Sequence, residues 1–413
     1  MPNYKKKAAL FLASQGITLF GSSVVQFAIV WYVTLQTSSG AWVSALTVAA
    51  YVPQFLISFF SGVWADRFPR KRLIILADAV IAAATLALVL LIPHLGEGAP
   101  LLTALLVISV IRSLGAGVQT PAVGAAIPQL VPEDALMKYN GVNATLQSLV
   151  QFAAPAAAGA LLSAATLQSA LLVDIATAVV GVGLLSAVAL PFTKAEAATS
   201  MVREMKEGFR YAVKERFIGK LLLIFGVFIF LCVPAGFLAT LFVNRYYGDT
   251  YWYMTLTEVI GFVGMTAGGL LIGTWGGFPN RVKTLVVGMI AFGALAVVMG
   301  AVRSFVVYLI LMAVYGVFLT MVQTASTTLL QEHTAPEMQG RMFGLFGAMY
   351  SGFLPLGMVV FGPLADVLSL RLLMIASGVL LLGLAAVVLG DRRFYRRGMK
   401  EAQAGESAEN DIA

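Results

Sequence analysis

The sequence predicts an all-α, polytopic membrane protein with twelve membrane-spanning helices, arranged as two six-helix parallel repeats. Three observations support this fold class. First, 59% of the 413 residues are hydrophobic and only 11% are charged, whereas soluble domains carry about 25% charged residues. Second, the apolar residues form separate runs of membrane-spanning length. Third, short motifs of the first half recur in the second half in the same order.

Each apolar run is long enough to cross the hydrocarbon core, which takes about 20 helical residues. Backbone groups in lipid must be paired within the protein, so the runs are predicted to be helices. The predicted spans are residues 8–35, 42–65, 72–92, 100–120, 141–165, 168–190, 217–243, 251–275, 283–302, 305–328, 341–365 and 370–390. The first run is longer than the apolar core of a signal peptide, about 7–15 residues, so it is predicted to be retained.

Lysine and arginine are distributed unevenly between the two sets of loops. The N terminus and alternate loops hold most of them, including Lys5–Lys7, whereas the opposite loops hold only Arg245, Arg303 and Arg371. Cytoplasmic loops carry the excess of positive residues. Both chain ends are therefore predicted to lie in the cytoplasm, in a multi-pass protein of the bacterial inner (plasma) membrane.

The chain divides into two halves, a linker and a tail. The predicted segments are residues 1–190 for the first half, 191–216 for the linker, 217–392 for the second half and 393–413 for a cytoplasmic tail. In the linker, Met201, Met205, Phe209 and Val213 recur every four residues with basic residues between them. This pattern is typical of an amphipathic helix that lies on the inner membrane face.

Motifs of the first half recur in the second. The matching pairs are Val118-Gln119-Thr120 with Val322-Gln323-Thr324, Pro132-Glu133 with Pro336-Glu337, Gly62-Val63-Trp64 with Gly273-Thr274-Trp275, and Pro155 with Pro355. Because each half has six spans, the two halves have the same orientation. Transporters with parallel repeats bind substrate near the midplane between the halves, so the repeat favours a transporter over a channel, receptor or membrane enzyme.

The loop after the second span combines one acid with several bases. It reads Gly62-Val63-Trp64-Ala65-Asp66-Arg67-Phe68-Pro69-Arg70-Lys71-Arg72. This pattern resembles the cytoplasmic signature of the major facilitator superfamily, except that many members have glycine in place of Pro69. The resemblance implies a latch that holds the halves in the outward-facing state, formed by Gly62, Asp66, Arg67, Arg70, Lys71 and Arg72. In the second half Gly277 stands at the position of Asp66, so the latch is one-sided. The alternative, a loop that only anchors the chain inside, explains the bases but not the acid.

The fourth span contains a charge. Its segment Arg112-Ser113-Leu114-Gly115-Ala116-Gly117 resembles the second signature of the same superfamily. A charge at membrane depth costs about 2.5–3.5 kcal/mol on insertion scales, so Arg112 is expected to have a partner. The resemblance implies that Arg112 takes part in proton transfer or its control. The alternative is a structural ion pair with an acid such as Asp78. The repeat counterpart is Gly316, so building the fold does not require an arginine.

The resemblance extends over nearly the whole chain. In the fifth span, Ala154–Gly159 resembles a degenerate antiporter signature, and Pro155, Gly159 and Pro355 are expected to serve helix packing. Further segments resemble the macrolide-efflux branch of the superfamily, namely Arg112–Pro132, Met201–Gly208, Leu256–Glu258, Gly268–Leu271, Pro336-Glu337 and Gly340-Arg341. This likeness implies proton-driven antiport of a bulky lipophilic drug.

A proton-coupled exporter needs a carboxyl group that can bind and release a proton. No Gly-x-x-x-x-Gly-Lys-Ser/Thr phosphate loop occurs in the sequence, so an ion gradient is the expected energy source. Glu258 in the eighth span is the first candidate, although it lies near the outer end, where water could solvate it. Asp174 in the sixth span is the second candidate. Asp78 in the third span is the next, or else belongs to the latch network.

Polar and aromatic residues within the spans are candidates for the lining of a substrate cavity. They are Gln26, Trp31, Gln54, Gln119, Gln147, Gln151, Gln323 and Tyr350. A drug site is mostly apolar with a few polar groups. For any single glutamine, an interhelical hydrogen bond is the alternative.

The predicted function is secondary active efflux by alternating access, as proton-coupled antiport of a lipophilic drug such as a macrolide. Export of a siderophore or other endogenous amphiphile is the alternative, and a non-transporting scaffold or sensor is the remote one. The chain is not expected to be an enzyme or to hold a metal or cofactor, since His94 and His333 are far apart and Cys232 is the single cysteine. The expected partners are a small lipophilic substrate, protons and the lipid bilayer, without nucleic acid, and the protein is expected to be a monomer.

Overall fold

The computed structural model describes residues 4–96, 98–190 and 201–399. In this part of the chain, eleven helices are long and apolar enough to cross a membrane. The first-half helices are α1 (Tyr4–Thr37), α2 (Gly40–Arg67), α3 (Arg70–Leu95), α4 (Ala99–Leu130), α5 (Leu136–Ala164) and α6 (Leu167–Ser186). They are followed by α7 (Met201–Lys214), α8 (Arg216–Cys232), α9 (Ala239–Tyr246), α10 (Tyr251–Trp275), α11 (Arg281–Ala301), α12 (Phe305–His333), α13 (Gln339–Val367), α14 (Leu370–Gly390) and α15 (Arg392–Arg396).

The seventh span differs from the single helix predicted over residues 217–243. It is divided into α8, which ends at Cys232, and α9, which begins at Ala239. Pro234 lies between them and has no backbone N–H, so it cannot continue the helical hydrogen-bond ladder. Residues 233–238 form successive turns instead. Together, α8 and α9 form this seventh span, which brings the number of spans in the described part of the chain from eleven to twelve.

The chain forms two compact units. The first comprises Met1–Met201 with Gly248–Leu256, and the second comprises Val202–Tyr247 with Thr257–Ala413. In the first unit α1 packs on α5 and α6, and α3 packs on α4 and α6. In the second unit α8 packs on α13 and α14, and α11 packs on α12 and α14. The same pairs recur at equivalent positions, which confirms the predicted fold of two repeats.

The second and fourth helices of each repeat approach closely, but by different means. In the first unit, Ser113 of α4 accepts a hydrogen bond from the N–H of Gln54 (2.9 Å) and donates one to the carbonyl of Ala50 (2.6 Å), both on α2. In the second unit the contact between α10 and α12 is made by glycines. A Cβ on Gly264 of α10 would overlap the backbone of Ala313, and a Cβ on Gly316 of α12 would lie 2.8 Å from the N atom of Met265.

Gly264→Ala is expected to destabilise the second unit, because the added methyl group has no space at the α10–α12 contact. Overpacking of this kind costs about 1–3 kcal/mol. Gly269→Ala on the same helix is the matched control, since nothing lies within 4 Å of its added Cβ. Thermal unfolding of the purified variants should show a lower midpoint for Gly264→Ala alone. Equal loss in both variants would contradict the close contact.

The linker helix and the C-terminal helix belong to the second unit. Two of the four predicted apolar positions of the linker, Met201 and Met205, have side chains outside the described residues. Residues 393–399 form the start of the predicted tail and pack against the unit. Phe394 is buried and stacks on Phe217, with ring centroids 4.6 Å apart. Lys220 donates a hydrogen bond to the Asp391 carboxylate and thereby lowers the pKa of that carboxyl.

Candidate functional site

A buried ion pair lies inside the first unit. Arg112 of α4 donates to the carboxylate of Asp174 on α6, and the two side chains are only 6% and 2% exposed. The second Arg112 nitrogen, Nη2, lies 3.4 Å from Asp174 Oδ1. The partner of Arg112 is therefore Asp174 and not Asp78, the acid named as an example for the alternative of a structural ion pair.

Two hydroxyl side chains complete the surroundings of this ion pair. Thr85 of α3 accepts from Arg112 Nη1 (2.9 Å) and donates to Asp174 Oδ2 (3.2 Å). Ser22 of α1 donates to Asp174 Oδ1 (3.2 Å), and its carbonyl accepts from Arg112 Nη2 (3.2 Å). These four residues, which we call the charged layer, join helices α1, α3, α4 and α6. Because both carboxylate oxygens accept donors, the layer satisfies the charge of Asp174.

Asp78 occupies a second polar position. Asp78 and Gln119 form what we call the carboxyl layer. Asp78 on α3 is only 4% exposed. Its Oδ1 accepts from Gln119 Nε2 on α4 (2.9 Å), whereas its buried Oδ2 has no hydrogen-bond partner. In the described part of the chain, no basic side chain is within ion-pair distance of Asp78. A carboxyl group in this setting can bind or release a proton without breaking an ion pair.

The two layers are separated by an apolar contact. They are seven residues apart on both α3 and α4, which corresponds to about two helical turns or 10 Å. Between them, Gly115 of α4 faces Ile81 of α3, and a Cβ on Gly115 would lie 2.6 Å from Ile81 Cγ1. The lack of a side chain at Gly115 therefore allows α3 and α4 to hold both layers in register.

The second unit does not repeat the charged layer. Gly316 stands where the first repeat has Arg112, and it packs against the backbone of α10. Glu258 on α10 is partly exposed. Among the described residues, none provides a basic side chain within ion-pair distance of Glu258. The ionisable groups of the two units thus differ, although their helix packing is repeated.

Two of the four basic residues of the predicted latch donate hydrogen bonds to carbonyl groups near helix ends of the first unit. Arg70 donates to the carbonyl of Ala125 on α4 (2.7 Å). Lys71 donates to the carbonyl of Ser186 (2.7 Å), the last residue of α6. Arg67 and Arg72 are exposed. The side chains of Gly62 and Asp66 lie outside the described residues, so the role of Asp66 in the latch stays a prediction.

The predicted cavity residues occupy different environments. Trp31 is 1% exposed within a hydrophobic cluster and contacts Phe27, with ring centroids 5.5 Å apart. Gln119 belongs to the carboxyl layer. The partly exposed members are Gln26, Gln54, Gln323 and Tyr350, and the exposed ones are Gln147 and Gln151.

The three predicted packing residues are buried. Pro155 lies inside α5 and Pro355 inside α13. A Cβ on Gly159 would overlap the side chain of Thr255, which belongs to the same compact unit. Within the described residues, no group of three or more histidine, cysteine, aspartate or glutamate side chains could hold a metal ion.

Sequence reasoning did not identify Ser22 and Thr85 as members of the site. Hydroxyl residues are common in membrane helices because they can bond to a backbone carbonyl one turn earlier. The Thr85 hydroxyl lies 2.8 Å from the carbonyl of Ile81 as well as 3.2 Å from Asp174 Oδ2, so its one hydrogen is shared between these two acceptors. A serine or threonine therefore carries no distinct signal until the neighbouring helices are placed.

Comparisons with known proteins agree with this architecture. The family model described as Major Facilitator Superfamily matches residues 11–354 and 252–407. Macrolide efflux protein A of Streptococcus pyogenes is 29% identical over 390 residues, which cover 93% of this chain and 96% of that protein. The multidrug efflux pump Tap of Mycobacterium tuberculosis is 25% identical over 389 residues, which cover 89% of each chain. A crystal structure of a mutant nucleoside transporter, NupG, superposes with a TM-score of 0.73 at 14% identity, covering 94% of this chain and 99% of that chain.

Proposed function

The chain belongs to the major facilitator superfamily, and from this premise we propose that it exports a lipophilic drug such as a macrolide by proton-coupled antiport. Its similarity to a macrolide efflux protein and a multidrug efflux pump supports the direction of transport and the substrate class. The arrangement of α3, α4 and α6 supports the coupling. Export proceeds by alternating access, with the protein working as a monomer in the plasma membrane.

The observation that carries the coupling proposal is the carboxyl layer. Asp78 is buried, accepts one hydrogen bond from Gln119 and has one oxygen without a partner. Asp174, in contrast, is held by Arg112, Thr85 and Ser22. Protonation of Asp174 would break an ion pair, whereas protonation of Asp78 would not. We therefore propose Asp78 first as the proton carrier and Glu258 second, whereas the order expected from sequence was Glu258, Asp174 and then Asp78.

The charged layer has a different role in this proposal. A buried ion pair contributes little net stability, because desolvation offsets the attraction between its charges. The second unit folds with Gly316 in place of the arginine. We therefore assign Arg112 and Asp174 to the control of helix movement in the first unit. Opening of the layer would separate α4 from α6 and change the surroundings of Asp78 two turns away.

Transport in everted membrane vesicles tests the proposed function. Vesicles containing the protein should accumulate a radiolabelled macrolide when their interior is acidified, and a protonophore should abolish the accumulation. Vesicles from cells without the protein are the control. Accumulation that survives the protonophore would contradict proton coupling. Accumulation of a siderophore but not of the macrolide would contradict the substrate class and leave the coupling intact.

We also propose that both chain ends lie in the cytoplasm. The excess of lysine and arginine in one set of loops supports this orientation. In the same orientation, α7 and the basic loop before α3 lie on the cytoplasmic side. Accessibility of a tag at each end in right-side-out and everted vesicles tests it.

A further inference from the structure

The linker helix α7 is held on the second unit by one of its faces. Glu207 forms an ion pair with Arg341 of α13 (3.2 Å). The hydroxyl of Tyr211 accepts a hydrogen bond from the N–H of Ala335 (3.3 Å). Gly208 allows a close approach, since a Cβ there would lie 3.3 Å from the Cβ of Arg341. These contacts fix the position and rotation of α7.

The opposite face of α7 combines apolar and basic side chains. Phe209 and Val213 are each 64% exposed and lie one helical turn apart. Lys206, Arg210 and Lys214 are also exposed and follow the same four-residue spacing beside them. Within the part of the chain that the structure describes, none of these three cations has an acidic partner. This surface thus presents two apolar side chains beside three positive charges.

The position of α7 along the chain places this surface at the level of the membrane headgroups. Only Glu215 separates α7 from α8, the helix that begins the seventh span. Arg341, which α7 contacts, is in the first turn of the eleventh span. A helix tied to two span ends cannot move far from the bilayer surface.

We propose that this surface, formed by Lys206, Phe209, Arg210, Val213 and Lys214 and here called the α7 lipid face, binds anionic phospholipids of the cytoplasmic leaflet. The apolar side chains enter the boundary between headgroups and acyl chains, as in other interfacial helices. The basic side chains pair with anionic phosphate groups, whose surface attracts lysine and arginine near a membrane. A zwitterionic surface would leave the three cations without net counter-charge. Because α7 is fixed to α13, lipid binding also anchors the cytoplasmic end of the second unit.

A fluorescent probe on α7 in lipid nanodiscs tests the proposal with the full chain. The variant Val213→Cys is labelled with a polarity-sensitive dye; the native cysteine, Cys232, is buried and 2% exposed. Discs of phosphatidylcholine are compared with discs containing increasing phosphatidylglycerol. Emission should shift to shorter wavelength and saturate as phosphatidylglycerol is added, and added salt should weaken the shift.

Two triple substitutions decide whether the α7 cations carry the effect. Lys206→Gln, Arg210→Gln and Lys214→Gln together should raise the phosphatidylglycerol fraction needed for the half-maximal shift by about tenfold or abolish the shift. The matched control, Arg392→Gln with Arg393→Gln and Arg396→Gln, removes three exposed cations from α15 and should keep the response. Identical emission in both lipids would overturn the proposal, as would equal loss in the two triple variants. A probe already buried in pure phosphatidylcholine would mean that something other than anionic lipid covers α7.

Discussion

Asp174→Leu is expected to destabilise the first unit by about 3–5 kcal/mol, because Arg112 would remain buried without a partner for its charge. Asp174→Leu combined with Arg112→Met is expected to recover most of that loss, since an apolar pair of similar volume is often as stable as a buried ion pair. The measurement is chemical unfolding of the purified proteins in mixed micelles. Asp249→Leu, at an exposed acid, is the control and should stay within about 0.5 kcal/mol of the parent protein.

The same double variant distinguishes a structural role of the charged layer from a functional one. If Arg112 and Asp174 control movement of the helices, the double variant should be folded but inactive in the vesicle assay. Normal export by the double variant would show that the ion pair serves neither proton coupling nor its control. With Arg112→Met also measured alone, a loss of stability in the double variant equal to the sum of the two single losses would contradict the pairing itself.

Asp78→Asn is expected to abolish uphill export while sparing folding and substrate binding. The asparagine oxygen can still accept the hydrogen bond that Asp78 receives from Gln119 (2.9 Å), but an amide cannot bind and release a proton. Proteoliposomes with an internal pH dye measure the effect, because substrate flux should no longer move protons. We expect proton movement to fall at least about tenfold, while downhill movement of the macrolide continues.

Two further variants decide whether Asp78 or Glu258 carries the proton. Glu258→Gln in parallel tests the second candidate, and Asp249→Asn is the matched control at an exposed acid. Asp78→Asn with full proton coupling would remove Asp78 from the proposal. If Glu258→Gln alone uncouples transport, the proton carrier lies in the second unit. If neither changes coupling, Asp78 and Glu258 are both excluded as the proton carrier, whereas proton coupling itself is not contradicted.

The sequence was sufficient for the fold class because the membrane imposes local rules. A span must satisfy its own backbone hydrogen bonds, so each apolar run is a helix whatever surrounds it. Repeated motifs such as Val118-Gln119-Thr120 and Val322-Gln323-Thr324 indicated the two repeats, and the structure has the same helix pairs in both units. The break at Pro234 was missed because prolines also occur inside continuous helices of this chain, for example Pro155 in α5.

The arrangement of the polar side chains was decided by the tertiary structure. The sequence indicated that Arg112 needs a partner, with Asp78 as an example, and it left Asp78, Asp174 and Glu258 as candidates for proton coupling. Which carboxylate an arginine reaches depends on the heights and rotations of α3, α4 and α6 together, and no local pattern encodes these. Once packed, the helices bring Asp174 to Arg112 and leave Asp78 with Gln119. The sequence alone thus determined which segments span the membrane and that they repeat, because those properties are local. The packing of the helices alone decided which acid is held by a charge and which is not.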